Sequence, residues 1–230
     1  RNSCLQNRKV NKWCYIYHQL MVVITSLTGL EIRVIKFFLE NMMEQFGIRE
    51  LARKTKTDYK LVHITVQKLA KKNILIKKRQ ANLDLCSLNL KGDLTSIYYV
   101  EMMRAKEFVN KYPEFKIFFE KVREKCKQMF YSLIVFGSFA KGTPTPKSDL
   151  DILIITPKIN EGEEIGRIIH TENIFIKRTA NYIILEEKEF TSALQEKQLN
   201  VQKEAFKNHV LIAGVESFYN AIKQTIWYKK

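Results

Sequence analysis

The sequence predicts an α/β (α+β) protein in two parts: a helical N-terminal part closed by a basic pair of strands, and a later part with very apolar strands among helices. Three observations carry this expectation. Apolar residues recur at helical spacing through the first third of the chain. Strand-like runs at Ile74–Lys77 and Leu83–Leu90 surround the polar segment 78–82. Much later, the runs Ser132–Phe136 and Leu150–Ile155 flank a segment rich in turn formers.

Taken in order, residues 1–24 read as an N-terminal extension. The first twenty residues carry four basic side chains and no acidic one. No small-x-small cleavage site follows them, so a start of translation at Met21 is preferred to a signal peptide. Leu30, Val34, Ile35 and Phe38 place a helix over about 28–42, and Gly47 breaks it. A second short helix over Ile48–Lys56 buries Ile48, Leu51 and Ala52. Asp58 is a candidate N-cap for a third helix with Val62, Val66 and Leu69 inward. Asn73, able to adopt a left-handed conformation, ends that helix. Two longer helices follow, near Thr95–Asn110 and Glu114–Met129, with the break just before Pro113.

The chain has 39 Lys+Arg against 24 Asp+Glu, a net charge of +15 that favours a polyanionic partner. The excess is local, because Arg53–Arg79 holds ten basic residues against Asp58 alone. Four separated cysteines have no paired spacing for zinc or a redox dithiol, and read as reduced thiols of a cytoplasmic protein. No apolar stretch approaches the ~20 residues of a membrane span, so no membrane partner is expected.

Three short helices and a basic hairpin resemble a winged helix-turn-helix domain over residues 25–92, with the motif IRELARKTKTDYKLVHITVQKLAKKNILIKK at its centre. The resemblance implies that the third helix enters the major groove of duplex DNA, with RNA as a further possible partner. Tyr59, Lys60, His63, Gln67 and Lys68 would then lie on its reading face, and Arg53, Lys54, Lys77, Lys78 and Arg79 would meet phosphates. The competing readings are a winged helix used for packing or dimerisation, and one that docks an acidic protein. Residues 93–129 are expected as a helical linker, which is also the candidate homodimer segment.

The sharpest signal is YSLIVFGSFAKGTPTPKSDLDILII at Tyr131–Ile155. Gly137 lets backbone approach a phosphate, while Ser138 and the amides opening the next helix can donate to it. Asp149 and Asp151 alternate along a strand and so share a face, as two acids gripping one hard cation must. Lys141 and Lys147 supply counter-charge, and Ser148 joins the candidate nucleotide ligands. A solvated turn would explain a lone Asp-x-Asp, but two like charges beside Ile152–Ile155 repel and lose hydration.

The pattern resembles the minimal nucleotidyltransferases of the DNA polymerase beta superfamily, of archaeal type, over residues 130–230. NYIILEEKEF and LIAGVESFY are similar to later elements of that family. The resemblance implies a small mixed sheet backed by helices. It also implies Mg²⁺ as cofactor on the catalytic pair Asp149 and Asp151, and a nucleoside triphosphate held by Gly137 and Ser138. The implied reaction is transfer of a nucleoside monophosphate with release of pyrophosphate. A third carboxylate is expected on a later strand, and Asn181 occupies the aligned position. Asn offers a neutral oxygen but no carboxylate base. Glu186 is the nearest downstream acid, yet five strand residues put it about 16 Å away, and Glu172 precedes the strand. The expectations that compete are therefore a nucleotidyltransferase with a nucleic-acid-docking domain, and a transcriptional regulator whose degenerate transferase domain senses nucleotide.

Overall fold

The computed structural model describes residues 27–42, 44–81, 83–195 and 205–227. The expected extension at residues 1–24 and the hairpin residue Asn82 lie outside the described residues. The described residues form two compact units, the first ending its main run at Val100 and the second resuming at Glu101; Leu39–Met42 group with the second.

The first unit starts with α1, Gly29–Glu40. Thr28 and Glu31 close its N-terminus reciprocally: the Thr28 amide donates to Glu31 Oε2 at 2.7 Å, and the Glu31 amide to Thr28 Oγ1 at 3.2 Å. This capping box satisfies two donors that the helix itself cannot. Burial works to raise the Glu31 carboxyl, but the Thr28 amide and the Lys72 ammonium at 3.0 Å hold it below its ordinary value. The short strand β1, Phe46–Gly47, leads into α2, Ile48–Lys54. Helix α3, Tyr59–Lys71, is capped by Asp58, whose Oδ1 accepts from the Lys60 and Leu61 amides at 2.8 and 3.3 Å. Asn73 then turns the chain at φ +56°, in the left-handed region expected of it.

Strands β2, Leu75–Gln80, and β3, Leu83–Leu88, pair antiparallel, and β1 adds to the far side of β3. Here the sequence expectation needs correction. Lys78, Arg79 and Gln80, expected in a loop, continue β2 in register with Leu85, Asp84 and Leu83. Past Leu75 every β2 side chain is exposed, so no apolar alternation was available to mark the strand. Ala81, at φ +52°, carries the tight reversal. Val34, Ile35, Phe38, Leu51, Val62, Val66, Leu69 and Cys86 form the buried interior of this unit.

Helix α4, Thr95–Lys111, opens on an Asp93 side chain that accepts from the Thr95 amide at 3.0 Å. After a short 3₁₀ turn at Pro113–Phe115 comes α5, Lys116–Lys125. This helix stops short of the expected Met129, because the Met129 amide bonds back to Cys126 O and makes a turn there. Phe115, Phe118, Phe119 and Val122 share one apolar cluster with Leu133, Val135, Leu150, Ile152 and Ile154. This part of the expected linker is thus core of the second unit.

The second sheet joins β4 (Ser132–Phe136), β5 (Leu150–Thr156), β6 (Ala180–Glu186) and β7 (Val210–Ala213) in the order β6-β5-β4-β7. The β5–β6 pair is parallel, and the β4–β5 and β4–β7 pairs are antiparallel, so the sheet is mixed. The four-residue helix α6, Gly137–Ala140, follows β4. Helix α7, Ile159–Glu172, makes the crossover that the parallel neighbours β5 and β6 require. Gly162 and Gly166 let it approach β6: a Cβ on Gly166 would stand 2.7 Å from the Tyr182 ring. Helices α8, Glu187–Gln195, and α9, Val215–Trp227, complete the unit. Among the described residues no helix is long and apolar enough to cross a membrane.

Candidate functional site

Strand β4 is buried along its whole length and delivers Gly137 at φ +70°. An L side chain is strained in that conformation, and here it would also collide with the Asp151 carboxylate. Glycine is therefore required twice, by its backbone and by its neighbour. Ser138 is half-buried in the first turn of α6, and its carbonyl accepts from the Thr143 amide at 3.0 Å.

The β4–β5 register sets Phe136 opposite Asp151, which puts the acid beside the glycine-serine turn. Leu150 is wholly buried, while Asp149 before it is exposed and Asp151 after it half-buried. The β5–β6 register sets Asp151 opposite Asn181, and Asn181 Nδ2 donates to Asp149 Oδ2 at 3.3 Å. Three elements distant in sequence thus meet at one end of the sheet. Burial first, then the charge of Asp149, raises the Asp151 carboxyl above its ordinary value. A carboxyl held up by burial and by a neighbouring acid marks a place where a cation lowers the energy. Two carboxylates and an amide oxygen suit one hard ion that keeps its remaining positions for water or phosphate. Among the described residues no group of three or more His, Cys, Asp or Glu is arranged to hold a metal.

Several expected residues have other occupations. Ser148 Oγ accepts from the Thr145 amide at 2.8 Å and lies 3.1 Å from Thr145 Oγ1, which shapes the loop before Asp149. Glu186 Oε1 accepts from the Ile159 amide at 3.0 Å and caps α7. Glu172 is buried and paired with Lys125. Both alternative acids are therefore tied into the scaffold. Lys141 and Lys147 are exposed beside the turn and the loop.

Sequence reasoning missed Arg178. Its Nη1 donates to the carbonyls of Thr145, Pro146 and Ser148 at 3.2, 3.0 and 3.0 Å, and its guanidinium lies 5.2 Å from the centre of the Phe139 ring. The only sequence signal was a basic pair, Lys177-Arg178, three residues before Asn181.

In the first unit, Arg53, Lys54, Tyr59, Lys60, Gln67, Lys68, Lys77, Lys78 and Arg79 are all exposed, and His63 is half-buried, stacked 5.9 Å from Tyr59. Lys77 is partnered across the strands by Asp84 at 2.9 Å, and that hydrogen bond is the main influence holding the Asp84 carboxyl down. The outward face of α3 also carries Leu61 and Ile64, 54% and 41% exposed, which had not been singled out. The thiols of Cys86 and Cys126 are pushed up to about 11 by burial and are inert at neutral pH.

Residues 119–212 match a family model described as a nucleotidyltransferase domain. The matched stretch contains the glycine-serine turn, both aspartates and Asn181. A comparison with curated proteins finds no match.

Proposed function

We propose that the second unit binds a nucleoside triphosphate together with one Mg²⁺, as a nucleotidyltransferase-type site, and that the first unit is a winged helix-turn-helix that docks duplex DNA. The observation that supports the nucleotide reading is the meeting of Gly137-Ser138, Asp149, Asp151 and Asn181 at one end of the sheet. Asp149 and Asp151 hold the ion, which when bound neutralises phosphate oxygens and makes the phosphorus more open to attack. The missing side chain at Gly137 lets the turn close against Asp151, and Ser138 with the opening amides of α6 donates to the phosphate. Lys141 and Lys147 add positive charge at the rim.

Transfer of the nucleoside monophosphate is the reaction that the family match supports, while the amide at position 181 favours a second reading, a nucleotide sensor. A third carboxylate would balance the charge of a second ion and accept the proton of the attacking hydroxyl; Asn181 offers a neutral oxygen but neither that charge nor a base. Instead it donates to Asp149 and orders that acid.

For the first unit, the support is the basic stretch 53–79, in which the single acid, Asp58, is used as a helix cap. Exposed Leu61 and Ile64 on α3 suit apolar contact with thymine methyl groups beside the hydrogen-bonding side chains.

The test is equilibrium dialysis of the full chain against each common ribonucleoside triphosphate, with and without Mg²⁺. Binding that requires Mg²⁺ and disappears in Asp149→Ala supports the reading. Binding that is indifferent to both Mg²⁺ and Asp149 overturns it.

A further inference from the structure

We infer that Arg178 is the positioning residue of this site: its guanidinium holds the loop at 143–149 in the shape that presents Asp149 to Asp151 and Asn181. The inference rests on the nucleotide-binding reading above. Three carbonyl oxygens of one loop, those of Thr145, Pro146 and Ser148, converge within 3.0–3.2 Å of a single nitrogen, Arg178 Nη1. Converging carbonyl dipoles repel one another, and two N–H bonds shared among them relieve that repulsion. The bonds between Ser148 and Thr145 close the turn, and the arginine adds the contact that gathers all three carbonyls at one point.

The same guanidinium lies over the ring of Phe139, which is fully buried in α6 directly after Ser138. Arg178 therefore touches both arms of the site, the loop that carries Asp149 and the short helix that carries Ser138. Its backbone is equally well placed, since the next residue, Thr179, accepts from the Leu150 amide at 2.9 Å between the two acids. A lysine could reach some of the carbonyls, but its ammonium is a point charge and could not at once gather them and lie over the Phe139 ring, as the broad guanidinium does. Arg178 is not placed to touch the reacting atoms; it acts through Asp149.

Two measurements on the full chain test this. The first is amide hydrogen exchange of the ligand-free protein in Arg178→Ala and Arg178→Lys. The 141–150 region is expected to exchange about tenfold faster in Arg178→Ala, with partial recovery in Arg178→Lys and no change in β4 or α7. The second is Mn²⁺ titration by electron paramagnetic resonance with a nucleoside triphosphate present, in a double-mutant cycle with Asp149→Asn. Arg178→Ala should weaken Mn²⁺ binding about tenfold when Asp149 is present and should add nothing when it is already Asn. Unchanged exchange overturns the inference. So does equal weakening in both backgrounds, which would make Arg178 a structural residue only. If the wild type binds no Mn²⁺–triphosphate while exchange changes as expected, the nucleotide-binding reading is what fails, and the site role of Arg178 falls with it.

Discussion

Replacing Glu101 with Gln should cost about 3 kcal/mol of stability, and the structure shows where that figure comes from. Glu101 is wholly buried on α4. Its Oε2 accepts from Arg104 Nη1 at 2.8 Å, and its Oε1 accepts from Tyr219 Oη at 2.7 Å and faces His209 Nε2 at 3.1 Å. Burial alone would raise this carboxyl. The Arg104 guanidinium, then the His209 ring, outweigh it and bring the group from 4.5 to about 2. At roughly 1.4 kcal/mol for each tenfold change, that gap is worth about 3 kcal/mol to the ionised form. Glutamine keeps the shape and one acceptor oxygen but not the charge, so Arg104, itself buried, loses its counter-ion and keeps its bond to the His209 carbonyl at 2.7 Å. Removing one partner of a buried pair costs about 3–5 kcal/mol, so the two routes agree. Urea unfolding of both proteins, followed by circular dichroism and by amide exchange in α9, measures the loss. The pH dependence supplies a second check. A carboxylate held low contributes stability that is fully present above about pH 4.5 and is lost as the pH falls toward 2. Glu101→Gln should lack that part of the acid limb. A cost under about 1 kcal/mol, or an unchanged acid limb, would refute the account of this cluster.

Other expectations concern the site and the basic face. Asp151→Asn should raise the melting temperature of the ligand-free protein at neutral pH, because a carboxyl pushed up by burial and by Asp149 weakens the fold once the pH has risen through its raised value; a lower melting temperature would mark Asp151 as a structural partner. Gly137→Ala should lose about 1–2 kcal/mol for left-handed backbone strain, together with Mg²⁺-dependent nucleotide binding by dialysis, since its Cβ displaces Asp151. Asn181→Asp should gain transfer from an α-labelled triphosphate to protein or RNA; brisk transfer by wild type that the substitution leaves unchanged would mean another group serves as the third ligand. Neutralising Lys77, Lys78 and Arg79 together should weaken duplex DNA binding on all sequences and flatten its salt dependence, read by fluorescence anisotropy over a salt series; absence of binding at low salt would favour protein docking by this face.

Local signals were legible wherever a residue's own chemistry dictates a backbone state. Asp58 caps α3, Asn73 enters the left-handed region, and Gly137 closes β4 before a helix, each as its side chain, or lack of one, requires. The length of β2 was not legible, because a strand exposed on both faces carries no alternation and Lys78-Arg79-Gln80 reads equally well as loop. The end of α5 was likewise hidden, since Cys126 forms a turn that no breaker residue announces.

By itself the sequence determined the inventory of the site: a glycine-serine turn after an apolar strand, two aspartates on one face of another, and an asparagine on a third. Its spacing also limited Glu186, which the structure shows capping α7. Tertiary structure decided which of these groups meet. Whether Asn181 lies opposite Asp151 depends on the register of a parallel pair joined through a fourteen-residue helix, and no local pattern encodes that register. The role of Arg178 was decided there too. Nothing in an arginine's own sequence surroundings reveals three carbonyls about thirty residues away that the chain's folding has gathered around one nitrogen.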